Sequence, residues 1–526
     1  MGTTTTTHNL STLQQPGSLK NVLVLPKTVA DAIVLTRKLG IHYLWVDCLS
    51  VVQNSPEKHQ DIANMDIIYS QATLTIIASG SENADSGLPG VRQGTRRKRV
   101  TSVSHGSHAT VLRLSTRKQD LLEGTTYYSR AWTFQELVLS KRTLFITEQQ
   151  AVFQCGASKC SESLPHEQAY ELQEYGYGPI DLRWKRNVES DSKVIAECYS
   201  TIVAEYSSKV LSFQADIENA LSGLNSIVEQ WSGGCPVTHG LLPQFLGYSL
   251  FWKFGSVQQH NNFNTVENRG NRRKDFPSWS WTGWVTSIDN FCSNEIMYLP
   301  LTSTMRDITI NMWMANSEAR ILTVTDRSAI EHDGATSVGQ QIQIKIEAAP
   351  AEKTLRLPDT LCFNAERISC KNMFVEASGE LDCDFPFSMR GQSQPCGYLC
   401  LPPKPAIIRA VRKYIVTKAV KEEIDEEIDE DWSLVQLHQC RLRPIDKNFD
   451  DEVQLFLDAM QDCHSIPSSR VFRGMLEESE LLHVLLIRRS GIYWERFGSG
   501  LMIKEHWPST EPGAGISAHL ERIVLI

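Results

Sequence analysis

The side chains best placed to do chemistry stand in two short stretches, Tyr43-Leu-Trp-Val-Asp47 and Arg130-Ala-Trp-Thr-Phe-Gln-Glu136. The second reads as a helix, and Trp132 and Glu136, four residues apart, share one of its faces. The first is apolar and β-prone and stops at a carboxylate, so it reads as a strand with Asp47 at its carboxyl end, where open α/β sheets collect their ligands. Carboxylates gathered beside an aromatic ring can stabilise a developing cation. The competing reading is structural, with Trp132 in the core and Glu136 paired with Arg130 or Arg142 at the helix edge.

A second chemistry is nucleophilic. Cys48 follows Asp47 and His59 comes eleven residues later, the materials of a cysteine hydrolase, although a cysteine on a strand beside Trp45 and Val46 is ordinary core material. No Walker loop, Rossmann glycine pattern, HExxH or GxSxG occurs. The 13 cysteines include no CxxC pair. Cys155 with Cys160, Cys396 with Cys400, or Cys463 beside His464 make a zinc site only by free choice among loops, so no metal is expected.

The elements that must position these residues follow from patterning. After the polar turn Gln53-Asn54-Ser55, Pro56 suits a first helical position, Glu57 complements the helix dipole, and Ile62, Met65, Tyr69 and Ala72 form an apolar face. Thr73 to Ser79 is β-branched and ends at Gly80, which makes it the next strand. Strand, helix and strand in so short a span predict a βαβ unit with parallel strands. Upstream, Leu25-Pro26-Lys27-Thr28 introduces a helix capped by Thr28, with Asp31 at its third position and Gly40 at its end. Downstream come a Gly/Ser/Asn-rich loop after Gly80, a basic cluster Arg96-Arg-Lys-Arg99 that reads as solvated, a strand over 109–115, the Trp132 helix capped by Ser129, and a hairpin of Thr143–Thr147 with Ala151–Cys155.

These stretches resemble a known family. LWVD, Gln53 and EKHQDIANMDIIYSQATLTIIAS are similar to the second signature of the fungal heterokaryon-incompatibility (HET) domain, and RAWTFQE is similar to its third, in the same order. The family's first signature, a strand-like run near Ser-Tyr-x-Trp-Gly, has no counterpart before HNLSTLQQPGSLKNVLVLPKT, so an N-terminally incomplete domain is expected. Ser50 and Val52 stand where the family usually has cysteine and asparagine. The HET domain is thought to be distantly similar to the TIR fold, whose enzymatic members carry a catalytic glutamate four residues after a tryptophan, the spacing of Trp132 and Glu136.

The resemblance implies a TIR-like α/β domain, a mostly parallel sheet with helices on both faces, acting in fungal allorecognition, a form of innate immunity that ends in programmed cell death. It implies two mechanisms. In one, the HET domain works by self-association or by binding a protein partner. In the other it is an NAD glycohydrolase in which Glu136 and Asp47 serve the oxocarbenium-like ribose cation while Trp132, Arg130 and Trp45 hold the nucleotide. NAD is then a substrate and no cofactor is implied. A third expectation, an inactive truncated paralogue, follows from the absent first signature and the changes at Ser50 and Val52.

At 526 residues the chain is expected to form two or three domains. A composition of 41% hydrophobic and 21% charged residues is that of an ordinary globular protein. The net charge of -9 offers no general reason to bind nucleic acid or an anionic membrane. No run approaches the ~18 apolar residues of a membrane span, and the polar start lacks the features of a signal peptide, so a cytoplasmic location is expected. The expected layout is a flexible leader over 1–20, a HET domain over 21–156, a helical connector over 157–255 and a β-rich α+β region over 256–526. The connector shows helical spacing from Trp184 to Val203. The last region carries a strand-like tryptophan cluster, Phe276-Pro-Ser-Trp-Ser-Trp-Thr-Gly-Trp284, and an acidic run over 421–431. Its strands are expected at 320–324, 341–346, 407–411, 481–487, 491–497 and 522–526.

Overall fold

The computed structural model of the chain describes residues 4–21, 25–58, 61, 64–96, 101–105, 108–112, 122, 124–155, 159–162, 192–250, 252–255, 270–290, 306–313, 319–326, 342–348, 359–370, 373–375, 384–389, 395–402, 432–440, 480–508 and 518–526. The chain divides into two compact units, Met1–Ser190 with Lys209–Trp231, and Asp191–Ser208 with Ser232–Ile526. The expected helical connector is therefore split between the two units. The basic residues 97–99, the expected strand at 407–411, the acidic run 421–431, Trp184, His59 and the Cys463–His464 pair lie outside the described residues.

In the first unit, helix α1 (Lys27–Lys38) begins after Pro26, and Gly40 with φ +71 turns the chain away from it. Thr28 is not its cap. The Thr28 hydroxyl instead accepts the Gly87 N–H at 3.2 Å, and the Asp31 carboxylate accepts the Leu88 N–H at 2.8 Å. Asp31 is 2% exposed, and a carboxylate so buried needs a counter-charge. Arg92 provides it at 2.7 Å. The glycine-rich loop after Gly80 is thereby anchored to α1.

The expected strand at 43–47 is absent. Residues 41–46 run without regular structure, Tyr43 is 91% exposed, and Asp47–Ser50 is one helical turn. The reason lies in pairing, because β1 (Thr75–Ile77) takes its parallel partner from β2 (Arg142–Ile146), far down the chain. β2 continues antiparallel into β3 (Ala151–Cys155), and β3 into β4 (Lys159–Ser161). Among the described residues this sheet has one parallel and two antiparallel pairings, not a mostly parallel ladder. The residues expected as a leader are also tied down. Thr5 is buried, its N–H donates to the Cys48 carbonyl and its hydroxyl to the Leu49 carbonyl, while the Thr7 N–H reaches the Asn54 side chain.

Helix α2 (Met65–Gln71) lies within the span of the helix expected after Pro56, and residue 64 just before it is a turn. Helix α3 (Trp132–Leu139) buries Phe134, Leu137, Val138 and Leu139. Ser129 does not cap it; its hydroxyl donates to the Thr126 carbonyl, and the Thr133 hydroxyl returns to the Arg130 carbonyl. Ile77, Leu122, Leu137, Phe145 and Val152 form a core against which Tyr127 and Tyr128 pack. Burying such side chains contributes about 1.5–3 kcal/mol each.

The second unit opens with α4 (Ser192–Ser207) and, among the described residues, is dominated by an eleven-stranded sheet. Five strands, Thr360–Ser369, Trp432–Cys440, Leu481–Ser490, Tyr493–Ile503 and His519–Leu525, each pair with the next, and the last pairs with the first, so this part of the sheet closes on itself. Closure removes exposed edges. Trp279, Trp281 and Trp284 are at most 2% exposed, and Trp281 sits in a helical turn instead of a strand. Trp252, Phe254, Trp284, Phe497 and Trp432 meet edge to face in succession, with centroids 5.1 to 5.9 Å apart. Arg496, 1% exposed, stacks on Trp252 at 3.7 Å and donates to the Trp252 carbonyl at 2.7 Å and to the Trp279 carbonyl at 3.4 Å. This tryptophan cluster is core.

Among the described residues no helix is long and apolar enough to cross a membrane, and no group of three or more His, Cys, Asp or Glu side chains is placed to hold a metal ion.

Candidate functional site

Four local elements of the first unit converge on the Glu136 carboxyl. They are the helical turn that begins at Asp47, helix α2 with Tyr69, the turn Thr126–Ser129 with Tyr127, and α3 itself. α2 and α3 pack together, which brings the Tyr69 phenol to the Glu136 carboxyl as a hydrogen-bond partner. Tyr69 is buried and meets Trp45 edge to face at 5.7 Å, so the phenol is supported from the Asp47 side. The Tyr127 hydroxyl lies between two acceptors, the Thr133 carbonyl at 3.3 Å and the Glu136 carboxyl.

Glu136 keeps some surface exposed, yet burial of its carboxyl is the largest influence on it and raises its pKa to about 7. The charge of Asp47 pushes the same way. Arg130 and the hydrogen bonds from Tyr69 and Tyr127 oppose them by favouring the carboxylate. Both phenols are held far above their ordinary range, first by burial and then by the Glu136 charge, and so act as donors throughout the physiological range. A carboxyl that titrates near neutrality can take up or release a proton at working pH. The exposed Asp47, whose carboxylate accepts the Cys48 N–H at 2.7 Å, adds a second acidic group whose charge reaches Glu136.

The structure thus gathers Asp47, Arg130 and Glu136, with Trp45 joined through Tyr69. Trp132 opens α3 one turn before Glu136 and is partly exposed; among the described residues no ring contact or ion pair ties it to the group. Cys48 is half-buried, and burial followed by the Asp47 charge raises its thiol pKa, the opposite of what activates a nucleophile. That argues against the cysteine hydrolase. Tyr69 and Tyr127 escaped the reading of the sequence, where Tyr69 counted only as an apolar face. A signal was present, because a buried tyrosine needs a partner for its hydroxyl.

An α/β unit with a buried carboxyl poised near neutrality is equipped for acid–base chemistry. Residues 2–136 match the family model described as heterokaryon incompatibility protein (HET), a span that holds Trp45, Asp47, Tyr69, Tyr127, Arg130 and, as its last residue, Glu136. The chain thus carries a HET domain over residues 2–136, and that domain supports a function related to heterokaryon incompatibility. No curated protein and no solved structure matches it significantly.

Proposed function

We propose that this chain is an effector of fungal non-self recognition whose HET domain acts in the cytoplasm by hydrolysing the nicotinamide–ribose bond of NAD. The observation that carries the reading is the Glu136 carboxyl held near neutrality among Asp47, Arg130, Tyr69 and Tyr127. When the C1′–N bond breaks, its electron pair goes to the nicotinamide ring, which leaves neutral and needs no acid. The sugar is left as an oxocarbenium-like cation. An ionised Glu136 stabilises that cation and takes the proton of the water that adds to C1′, returning it to solvent. Arg130 and Asp47, both exposed, are available to the phosphates and the ribose hydroxyls respectively. Recognition of an incompatible partner, which triggers cell death, is assigned to the rest of the chain.

A second reading, killing by association of the HET domain, is favoured by Val34, Leu39, Tyr43 and Leu44, large apolar side chains left exposed within a short stretch. Induced expression of the wild-type chain and of Glu136→Gln in a fungal host, with NAD and viability measured together, separates the two. Loss of both with wild type alone supports hydrolysis. Death with NAD unchanged in both strains rejects hydrolysis and leaves association.

A further inference from the structure

The segment after α4 lies outside the span matched to the family, yet it folds onto the residues that carry the candidate site. Val210 forms a parallel bridge with Arg130: its N–H donates to the Ser129 carbonyl at 2.6 Å, and its carbonyl accepts the Ala131 N–H at 3.0 Å. The peptide groups on both sides of Arg130 are therefore held by one residue. Lys209, 8% exposed, places its Nζ 3.3 Å from the centre of the Tyr128 ring and 5.8 Å from that of Phe134. These two rings flank the loop from Tyr127 to Arg130 and the first turn of α3. A cation on an aromatic face in so buried a place is a strong contact.

Farther along, the helix Ser222–Trp231 approaches α2 and α3 together. The Gly223 N–H donates at 2.9 Å to the side-chain oxygen of Gln135, which is 1% exposed. A Cβ on residue 223 would come 2.5 Å from that oxygen and 2.8 Å from the Cβ of Asp66 on α2. Only glycine allows this approach. The segment thus touches the helix of Tyr69, the helix of Glu136 and the backbone of Arg130.

We propose that residues 209–223 are a brace that positions Arg130 and holds α2 against α3, with Lys209 and Gly223 as positioning residues for the Glu136 site. The catalytic unit then extends well past the matched span. The brace works on the balance of groups that face Glu136, which are Asp47 from the helical turn, Tyr69 from α2, Tyr127 and Arg130 from the loop before α3. Releasing Arg130 removes an influence that favours the carboxylate, so the proton is held to higher pH. The proposal rests on the acid–base reading of Glu136, and its test does not depend on turnover.

In the full chain, the titration of the Glu136 carboxyl is followed by NMR of carboxyl-labelled glutamate, its signal assigned with Glu136→Gln, while circular dichroism and melting report folding. Lys209→Met is expected to move the midpoint upward by about one pH unit, the scale on which a nearby charge acts, and Lys209→Arg to restore it. Tyr128→Leu, which removes the ring from the other side of the contact, is expected to move it the same way, and Gly223→Ala likewise by parting α2 from α3. A midpoint unchanged in any folded member of this set except Lys209→Arg overturns the brace. If Glu136→Gln leaves NAD hydrolysis intact, the hydrolase reading falls, and the titration still decides the brace separately.

Discussion

The Tyr69 hydroxyl and the Glu136 carboxyl, carried by two different helices, are hydrogen-bond partners in a buried setting. The phenol donates, and the bond favours the ionised carboxylate. Tyr69→Phe keeps the ring against Trp45 and removes only the donor. Its expected result is a Glu136 midpoint above about 7 and a loss of stability of about 1 kcal/mol at pH 8, read by carboxyl NMR and by urea unfolding. A midpoint that stays in place removes Tyr69 from the site.

Asp47→Asn acts in the opposite direction. The Asp47 charge raises the Glu136 pKa, so its removal lets the carboxyl ionise earlier and the midpoint falls. Asp47 is exposed, and salt screens such interactions, so the shift should shrink as ionic strength rises. The same NMR titration at low and high salt checks both statements. A downward shift with one variant and an upward shift with the other is the pattern that a coupled cluster requires and isolated groups do not produce.

Glu136 also makes stability depend on pH. Its folded pKa, about 7, lies above the ordinary value of 4.5, so the folded chain holds a proton that the unfolded chain has released. This contribution is fully present below about pH 4.5, is lost progressively as pH rises to about 7, and is absent above that. It is worth on the order of 3 kcal/mol at most, less what partial exposure removes. Glu136→Gln carries no charge to lose. The difference in unfolding free energy between the two chains should therefore move in favour of glutamine as pH goes from 5 to 8. A difference independent of pH would mean that the carboxyl ionises as it does in water.

How much of this could be read beforehand depended on the range of the interactions. Helix α3 and the hairpin at 142–155 follow local patterning, and both stand where patterning put them. The strand expected at 43–47 failed because an apolar run ending in a carboxylate suits equally a strand or an extended approach to a helical turn; pairing decides, and β1 paired with residues 142–146. Tyr69 was legible as buried but not as a partner of Glu136, since helical periodicity says which face is covered and not what covers it. The brace was illegible for the same reason. Nothing near Lys209 announces Tyr128, and nothing near Gly223 announces Gln135.

The Asp31–Arg92 pair gives a prediction about the same unit that is independent of catalysis. The Asp31 carboxylate serves two masters, the Leu88 N–H and the Arg92 guanidinium, and both belong to the loop after Gly80. Asp31→Asn keeps an oxygen for Leu88 and loses the charge; because Arg92 is half exposed and recovers water, the expected cost is about 1 kcal/mol. Asp31→Ala strands the Leu88 N–H as well and leaves a cavity under α1, so about 3 kcal/mol is expected. The loop should then detach before the domain unfolds. Limited proteolysis of the full chain should cut between residues 81 and 96 fastest in Asp31→Ala, more slowly in Asp31→Asn and slowest in wild type. Equal cleavage in all three would show that the loop is held by something other than this carboxylate, and that its burial beside α1 is incidental.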